Sequence, residues 1–362
     1  MTYEIADAAS MANRRAAWDS VVDATPEAWF WTTSAMHEFR TCVLEKTDRL
    51  IADQSFFLLQ DGVPCGLAPL VLVRAPEIDA VIASYGDVAL PWPLVAAIAD
   101  NRTAVETKLF DELERRVCAA GGGMISLMLS PPGTDLDVTD KFNETVRARS
   151  FVDHSFVSHW VAASSNALDD VRERYRRYIN KFRDRYDLVV FGPDGIPDTF
   201  ARQYMDLHVK DAGGVFRPLE TYERQVDLAR RGEGFWVCAR NRAADKVVGM
   251  LLVGVHKGAA YDSSVAVDPE FQDDPISNLL KWRAIQNLAE LGVSHYELGQ
   301  AAFTPSYLWQ PSAKNYGISF FKDGWSRGRL KTVRVADKFF NPACLDAVWQ
   351  KKLQALKGHF KL

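Results

Sequence analysis

The chain has 362 residues, of which 48% are hydrophobic and 25% charged, and its formal net charge is −4. A chain of this length exceeds what one hydrophobic core usually serves, so two domains are expected. The acidic balance excludes a general attraction to nucleic acid, although a local basic patch would still serve. The five cysteines are scattered without metal-binding or disulfide spacing, which favours a reducing cytoplasm.

The first half of the sequence predicts a strand hairpin, a loop, a helix and a closing strand. Asp61-Gly62 is a hairpin signal between two apolar strands. Three glycines, residues 121–123, stop an amphipathic helix. The elements are predicted at residues 54–60 and 66–74 (the hairpin), 80–84 (a further strand), 103–120 (the helix) and 124–129 (the closing strand).

The second half repeats this order of elements without repeating the sequence. A charged helix opens it, and two more helices precede a strand pair, a third strand, a helix and a last strand. These elements are predicted at residues 166–186, 188–191, 197–208, 219–230, 234–240, 246–256, 261–267, 276–291 and 293–298. We expect a first domain over residues 1–155, a second over 156–339, and a helical tail over 340–362 that packs back on the first.

The N-terminal sequence lacks the basic-then-apolar pattern of a secretory signal. No apolar run approaches the roughly 20 residues that a membrane-spanning helix needs. We therefore expect no membrane span.

Residues 259–300 are the most informative stretch. A β-branched strand is followed by a polar turn, residues 268–275, and by an amphipathic helix that Gly292 ends. Asp274 suits the cap of this helix and Pro275 its first turn. Because a second strand follows closely, the two strands are predicted to be parallel and joined by a right-handed crossover.

Four motifs occur in a recognisable order, three within this stretch and one after it. They are Tyr261-Asp262-Ser263, residues 279–285 (LLKWRAI), Tyr296-Glu297-Leu298-Gly299 and Phe321-Lys322. In this order they resemble the GNAT acyltransferase superfamily, and in detail its FemABX branch and the related cellulose-operon-type acetyltransferases. The resemblance implies a mixed α/β (α+β) architecture of two tandem GNAT-like domains. Each would have a mixed, mostly antiparallel sheet with a splayed parallel strand pair, flanked by helices.

The resemblance implies a donor site in the gap between the splayed strands. Backbone groups of Val265, Ala266 and Val267 would hold the donor arm, and Gln272, Ser277 and Asn278 would lie at its phosphate end. The turn departs from the family pattern, since it has no glycine and carries Asp273 and Asp274. These carboxylates would repel a pyrophosphate unless they point away, and helix capping is their structural alternative.

The catalytic candidates are Lys322, Glu297 and Asp262. The resemblance places Lys322 beside the reacting carbonyl, where a lysine would stabilise an oxyanion; the alternative is a solvated lysine on a strand. Glu297 is a candidate to take the amine proton, directly or through water. An exposed carboxylate or an ion pair is the alternative for Glu297 and for Asp262.

The acceptor side is predicted from two loops and one aromatic segment. His208, Asp211 and Arg217 surround a Gly-Gly bend, which is either an acceptor loop or a simple interhelix turn. The remaining acceptor candidates are Tyr85, Asp87, Lys314 and Tyr316. The histidines and cysteines show no metal-binding motif, so no catalytic metal is predicted.

The segment of residues 171–185 is rich in arginine and carries Asp184 among its basic residues. Its simplest interpretation is a charged, solvated helix face. The functional alternative is a phosphate-binding surface for a nucleotide-sugar, coenzyme A or a tRNA acceptor stem.

Three hypotheses for function follow. The first is an N-acyltransferase that moves an acyl group from acyl-CoA to a small amine, such as an amino sugar or nucleotide-linked amino sugar of surface polysaccharide synthesis. The second is an aminoacyl-tRNA-dependent transferase that acts on a peptidoglycan precursor or a peptide natural product. The third is a non-catalytic binding module, because fold alone does not establish catalysis. A homodimer is compatible with each.

Overall fold

A computed structural model describes residues 2–26, 28–84, 96–98, 101–128, 146–164, 166–303 and 311–360. The chain divides into two compact units. The first unit contains residues 1–156, 302–316 and 332–362, and the second contains residues 157–301 and 317–331. Within the described ranges, no helix is both long and apolar enough to cross a membrane.

Nine strands and three long helices lie in the described residues of the N-terminal part of the first unit. They are β1 (Tyr3–Asp7), α1 (Arg14–Ala24), α2 (Ser34–Lys46), β2 (Leu50–Asp53), β3 (Phe56–Gln60), β4 (Val63–Ala68), β5 (Val71–Ala75), β6 (Ala80–Ala83), β7 (Ala96–Ala97), α3 (Arg102–Ala119), β8 (Met124–Met128) and β9 (Val152–Asp153). Strands β1, β3, β4 and β7 form one sheet, and β2, β5, β6, β8 and β9 belong to another.

The predicted hairpin is present, but its return strand is shorter than expected. Asp61 and Gly62 have φ angles of 50° and 83°, the left-handed values that a tight hairpin turn requires. The single strand predicted over residues 66–74 is instead two strands, β4 and β5, in different sheets. Pro69 lies at the break, and it has no N–H for a sheet hydrogen bond.

The second unit is built around one seven-stranded sheet in the order β11-β12-β13-β14-β15-β10-β16. The elements that lie wholly or partly in this unit are β10 (Phe156–Ala162), α4 (Glu173–Phe182), β11 (Tyr186–Phe191), α5 (Phe200–Ala212), α6 (Leu219–Arg230), β12 (Gly234–Asn241), β13 (Lys246–His256), β14 (Ala259–Val267), α7 (Ile276–Glu290), β15 (His295–Gln300), α8 (Ala313–Ser326) and β16 (Leu330–Val333). The helix predicted over residues 166–186 is α-helical only over α4, because short 3-10 turns flank it.

Helix α7 joins the parallel strands β14 and β15, as the sequence predicts. Its apolar face, which includes Leu279, Leu280 and Ile285, lies in the core of the unit. Gly292 follows the helix with a φ of 71°, the left-handed conformation expected at a helix end. The predicted cap is wrong, because the carboxylate of Asp274 accepts a hydrogen bond from the Tyr186 hydroxyl and makes no cap hydrogen bond to α7.

The C-terminal part of the chain returns to the first unit. Strand β17 (Val335–Phe339) pairs antiparallel with β8, and helix α9 (Pro342–Phe360) follows it. The sequence analysis placed residues 332–339 in the second domain, whereas the structure places them in the first unit. The reason is long-range strand pairing, since β17 fills the sheet position between β8 and β9.

Two glycines of α8 give a matched test of packing in the second unit. A Cβ on Gly324 would lie 2.2 Å from Cε2 of Tyr175, whereas a Cβ on Gly317 meets nothing within 4 Å. We expect Gly324→Ala to lower the free energy of unfolding by about 1–3 kcal/mol through overpacking. Gly317→Ala should raise it by about 0.5–1 kcal/mol, because alanine loses less backbone entropy. Urea unfolding of both variants measures the difference, and equal effects would contradict this packing.

Candidate active site

The parallel strands β14 and β15 are neighbours only at their beginnings. Their pairing runs from Ala259 opposite His295 to Tyr261 opposite Glu297, although β14 continues to Val267 and β15 to Gln300. Both strands are fully described, and beyond Tyr261 and Glu297 they do not pair with each other. The expected splay is therefore present, and it opens a gap inside the second unit.

Strand β14 is irregular at the point where the gap opens. Its register with β13 moves from Leu252 opposite Ser264 to Val253 opposite Asp262, so that Ser263 has no counterpart. An extra residue of this kind is a β-bulge, which bends the strand and redirects its side chains. The bulge therefore accompanies the separation of the two parallel strands.

Glu297 is a buried carboxylate at the edge of the gap. Its side chain accepts a hydrogen bond of 2.6 Å from the Ser158 hydroxyl to Oε1. Its other oxygen, Oε2, is buried and has no hydrogen-bond partner among the described residues. Burial raises the pKa of Glu297 to about 8, against the opposing effects of the Ser158 hydrogen bond and the Lys322 ammonium. One oxygen is thus anchored and the other is available to a proton donor.

Lys322 lies on helix α8, and so it is not the strand residue considered in the sequence analysis. Its ammonium is 3.5 Å from the carbonyl oxygen of Gln300. It is also 2.9 Å from the position that a Cβ on Gly299 would occupy, and Gly299 has a φ of 90°. The positive φ favours glycine at this position, whereas the lysine end of the close approach could move to make room for a Cβ. Burial lowers the pKa of the Lys322 ammonium below its ordinary value.

Asp262 is held by two groups that the sequence analysis did not select. Its carboxylate is ion-paired with Lys281 of α7 and accepts a hydrogen bond of 3.1 Å from the Tyr296 hydroxyl. Lys281 is only 4% exposed and Tyr296 is fully buried. The ionic partner and the hydroxyl together fix the Asp262 carboxylate, which makes it a structural support for the neighbouring groups.

The buried pair of Lys281 and Asp262 is expected to be important for stability. Lys281→Met removes the cation and leaves the buried Asp262 carboxylate uncompensated, so the free energy of unfolding should fall by about 3–5 kcal/mol. The double variant Lys281→Met/Asp262→Leu removes both charges and should recover part of that loss. Thermal or urea unfolding measures both, and a double variant as unstable as the sum of the single ones would contradict the pairing.

A buried histidine lies beside the same site. His159 is fully buried on β10, and its Nδ1 is 2.9 Å from the Ser326 hydroxyl of α8. Burial, together with the Lys322 ammonium, lowers the pKa of His159 to about 4. The imidazole is therefore neutral near pH 7 and adds no positive charge to the site.

The predicted donor-binding residues lie on the last part of β14, in the turn that follows it and at the start of α7. Val265 is 39% exposed, Ala266 is fully buried, and the neighbouring Ser264 hydroxyl is hydrogen-bonded to the Tyr204 hydroxyl. Gln272 ends a short 3-10 turn. Ser277 and Asn278 lie in the first turn of α7. The Oδ1 atom of Asn278 is buried without a hydrogen-bond partner among the described residues.

The turn before α7 also contains a buried carboxylate that the sequence analysis missed. Asp268 is 1% exposed and accepts a hydrogen bond from the Glu270 backbone N–H. Lys246 approaches its carboxylate to 2.7 Å and Lys210 to 3.7 Å. Lysines on β13 and α5 therefore offset part of the negative charge of this turn.

The acceptor candidates His208 and Arg217 belong to one cluster. His208 Nδ1 lies 2.9 Å from the Tyr222 hydroxyl, and the Arg217 guanidinium is 4.3 Å from the centre of the Tyr222 ring. Arg217 also donates a hydrogen bond of 2.5 Å to Gln225. Burial lowers the pKa of His208, and the negative charge of the Asp211 carboxylate acts in the opposite direction. Asp211 is therefore near enough to this cluster to influence it.

The remaining acceptor candidates are placed less fully. Tyr85 and Asp87 lie outside the described residues. Lys314 and Tyr316 lie in the first part of α8, the helix that carries Lys322 further along. Among the described residues, no group of three or more His, Cys, Asp or Glu side chains could hold a metal ion.

Helix α4 packs directly on the helix that carries Lys322. Tyr175 donates a hydrogen bond of 3.1 Å to the Phe321 carbonyl, and its ring lies 5.9 Å from that of Trp325. Arg172, just before α4, contacts the Asp323 carboxylate at 2.8 Å. The solvent side of α4 and its following turn is basic, with Arg174, Arg176, Arg177, Lys181, Arg183 and Arg185.

Ser158, Lys281 and Tyr296 are the site residues that sequence reasoning missed. Lys281 and Tyr296 lie within two motifs of the resemblance, so their positions were available although their roles were not. Ser158 lies on β10, a strand that the sequence analysis did not predict, and β10 pairs antiparallel with β15. No local pattern indicates that pairing, since 139 residues separate Ser158 from Glu297.

Residues 169–307 match the family model of the acetyltransferase (GNAT) domain. Among solved structures, FemX resembles the chain with a TM-score of 0.67 and 13% identity, covering 97% of this chain and 100% of that one. L-PGS from Bacillus licheniformis does so with a TM-score of 0.57 and 11% identity, covering 93% and 95% of the two chains. The sequence has no significant match among curated proteins.

The C-terminal domain of a putative lysylphosphatidylglycerol synthetase from Agrobacterium fabrum has the same fold, with a TM-score of 0.54 and 13% identity, over 93% of this chain and 97% of that one. Residues 169–307 are therefore similar to an acetyltransferase (GNAT) domain, and the splayed strands β14 and β15 lie within the matched residues. The chain as a whole has a FemX-like fold, and it divides into two compact units.

Proposed function

We propose that the protein transfers an acyl group from acyl-CoA to the amine of a small acceptor, in the gap between β14 and β15. The observation that carries this proposal is the unpaired, buried Oε2 atom of Glu297 beside a lysine of lowered pKa. A carboxylate with one anchored and one available oxygen suits proton removal from an attacking amine. The match to an acetyltransferase domain favours a thioester donor.

The reaction follows from the chemistry of these groups. The neutral amine attacks the thioester carbonyl, and a C–N bond forms as the oxyanion develops. Glu297 takes the amine proton, and the Lys322 ammonium stabilises the oxyanion. The C–S bond then breaks, and the thiolate leaves and is protonated to the coenzyme A thiol. Asp262, fixed by Lys281, contributes a negative charge that helps to keep Lys322 protonated.

The acceptor proposed here is an amino sugar or a nucleotide-linked amino sugar of surface polysaccharide synthesis, and the proposed location is the cytoplasm. The polar cluster of His208, Arg217 and Tyr222 supports a hydroxyl-rich or phosphate-bearing acceptor, because it presents an imidazole and a guanidinium. Family resemblance is the other support for this class.

Release of the free thiol from acetyl-CoA tests this function. The protein should release thiol only when an amine acceptor is present, so a panel of amino sugars and nucleotide-linked amino sugars is compared with the matching sugars that lack the amine. We expect release with at least one amine and none with the hydroxyl analogues. Release that is independent of the amine would contradict N-acyl transfer.

A second candidate function, transfer from an aminoacyl-tRNA, is favoured by two observations. The turn before α7 has no glycine and carries Asp268, Glu270, Asp273 and Asp274, which disfavours a pyrophosphate. Helix α4 packs on the helix that carries Lys322 and turns its basic side to solvent, where the Arg174 guanidinium lies 5.0 Å from the centre of the Tyr178 ring. Interleaved arginines and aromatic rings are typical of nucleic-acid binding.

A gel-shift titration with charged tRNA at several salt concentrations separates the two donors. Binding that weakens steeply with salt, and that charge reversal at Arg176 and Arg177 abolishes, would establish the second candidate. Unchanged binding of donor and acceptor in that variant would remove the role of α4. The homodimer considered in the sequence analysis remains a prediction.

A further inference from the structure

Helix α9, in the first unit, has a buried half and an exposed half. Cys344 and Val348 are 4% and 1% exposed, and they pack in a core cluster that includes Met124. The fit is tight, because a Cβ on Gly123 would lie 2.6 Å from the Cβ of Cys344. After Val348, by contrast, no residue is buried as far as Gly358. Among the described residues, the second half of the helix therefore contributes no buried side chain to the core of the unit.

The exposed half nevertheless carries an apolar stripe. Trp349 is 45% and Leu353 is 42% exposed, and Leu356 is half-buried. These residues are four and three positions apart, so they lie on one face of the helix. Large apolar side chains that share an exposed face indicate an interaction surface more strongly than scattered ones do.

The charges of α9 are mostly positive. The helix carries Lys351, Lys352 and Lys357 against the single acidic residue Asp346, whereas the whole chain has a net charge of −4. The Lys352 ammonium lies 5.3 Å from the centre of the Trp349 ring. Lys351 is 3.8 Å from a carboxylate oxygen of Glu77, and its side chain is 43% exposed. Basic residues therefore border the apolar stripe on a protein that is otherwise acidic.

We propose that the exposed half of α9 is a membrane-surface helix that binds anionic phospholipid. Trp349, Leu353 and Leu356 would enter the boundary between headgroups and acyl chains, and the lysines would contact the lipid phosphates. This combination of an apolar stripe with bordering lysines is the pattern of helices that lie in the membrane interface. Basic residues near an anionic membrane surface are attracted to it, and the attraction falls off within a Debye length. The inference does not depend on the proposed function.

A second copy of the chain fits this face less well than a lipid surface does. A two-fold symmetric contact places the same patch against itself, so the lysines would oppose each other. A stable dimer also buries about 800 Å² on each partner, which is more than three partly exposed side chains supply. Anionic lipid satisfies both the apolar stripe and the positive charge.

Cosedimentation of the full chain with phospholipid vesicles tests this inference. The protein should bind vesicles of phosphatidylglycerol and phosphatidylcholine, and it should bind pure phosphatidylcholine vesicles at least tenfold more weakly. Trp349→Ser/Leu353→Ser and Lys351→Glu/Lys357→Glu should each weaken binding to the anionic vesicles at least tenfold. Val63→Ser, at an equally apolar residue that is 65% exposed on the same unit, is the matched control and should bind like the unchanged protein.

Three results would overturn the inference. The first is that the unchanged protein, shown to be folded by its thermal unfolding, does not bind anionic vesicles at low salt. Another is equal binding to both kinds of vesicle, which would remove the role of the lysines. The last is a dimer, seen by light scattering, that Trp349→Ser/Leu353→Ser converts to a monomer. The substituted side chains are exposed, so thermal unfolding should be unchanged in Trp349→Ser/Leu353→Ser. The thermal midpoint should fall only slightly in Lys351→Glu/Lys357→Glu, where a carboxylate replaces the ammonium near Glu77, and it serves as the check on folding.

Discussion

Glu297→Gln is expected to lower kcat for acyl transfer by about 100-fold to 10,000-fold, the usual contribution of a general base. Glutamine keeps the size of the side chain and can still accept the Ser158 hydrogen bond, but it cannot take the amine proton. The loss should therefore appear in kcat, while the acceptor KM changes little. Thiol release with a saturating amine acceptor measures it. Because the neutral amide replaces a carboxyl group of raised pKa, folding should be preserved.

The pH profile adds an independent check on Glu297. With a pKa of about 8, the carboxylate is mostly protonated at pH 6 and mostly ionised at pH 9. The value of kcat/KM should therefore rise about tenfold per pH unit below pH 8 and level off above it, and Glu297→Gln should lose that rise. Glu290→Gln, at an exposed residue of the same unit, is the control and should keep the profile. An unchanged profile in Glu297→Gln would show that Glu297 is not the base.

Lys322→Ala is expected to lower kcat by about 100-fold to 1,000-fold, the range seen when a group that stabilises an oxyanion is removed. The Lys322 ammonium lies against Gly299 at the edge of the gap. It also donates a hydrogen bond to the Gln300 carbonyl. The thermal midpoint should change little, because the side chain is only partly buried and donates one long hydrogen bond of 3.5 Å.

Two further substitutions sharpen the test of Lys322. Lys322→Arg keeps the charge but is too large for the space above Gly299, so it should recover only part of the activity. Lys108→Ala removes an exposed lysine of the first unit and should leave kcat unchanged. If Lys322→Ala transfers the acyl group at the normal rate, the assignment of the site to this lysine is wrong.

The elements of the second unit could largely be predicted from the sequence, because their signals are local. The segment of residues 246–256 has the predicted bounds of β13, and Gly292 marks the end of α7 as expected. The parallel pairing followed from the close succession of strand, helix and strand, and its splay followed from the resemblance alone. Local patterns failed where a single residue overrides them, as Pro69 does by dividing one predicted strand into two.

The candidate site could be predicted only in part, because its supports come from distant parts of the chain. Glu297 and Lys322 lie in motifs of the resemblance, but the hydrogen-bond partner of Glu297 is Ser158. These two side chains meet only because β10 and β15 are neighbouring strands. For the same reason the local pattern predicts a helix cap for Asp274, whereas its carboxylate accepts a hydrogen bond from the Tyr186 hydroxyl, 88 residues earlier. Contacts between residues that are remote in sequence produce no local pattern from which they could be predicted.

The central claim is that the gap of the second unit binds an acyl-CoA donor, and calorimetric titration with coenzyme A and a series of short acyl-CoAs tests it most directly. We predict micromolar binding whose affinity depends on the acyl chain, since the chain would lie between β14 and β15. Absence of binding at every salt concentration, by protein that is folded and otherwise intact, would contradict the claim and direct the search to aminoacyl-tRNA donors.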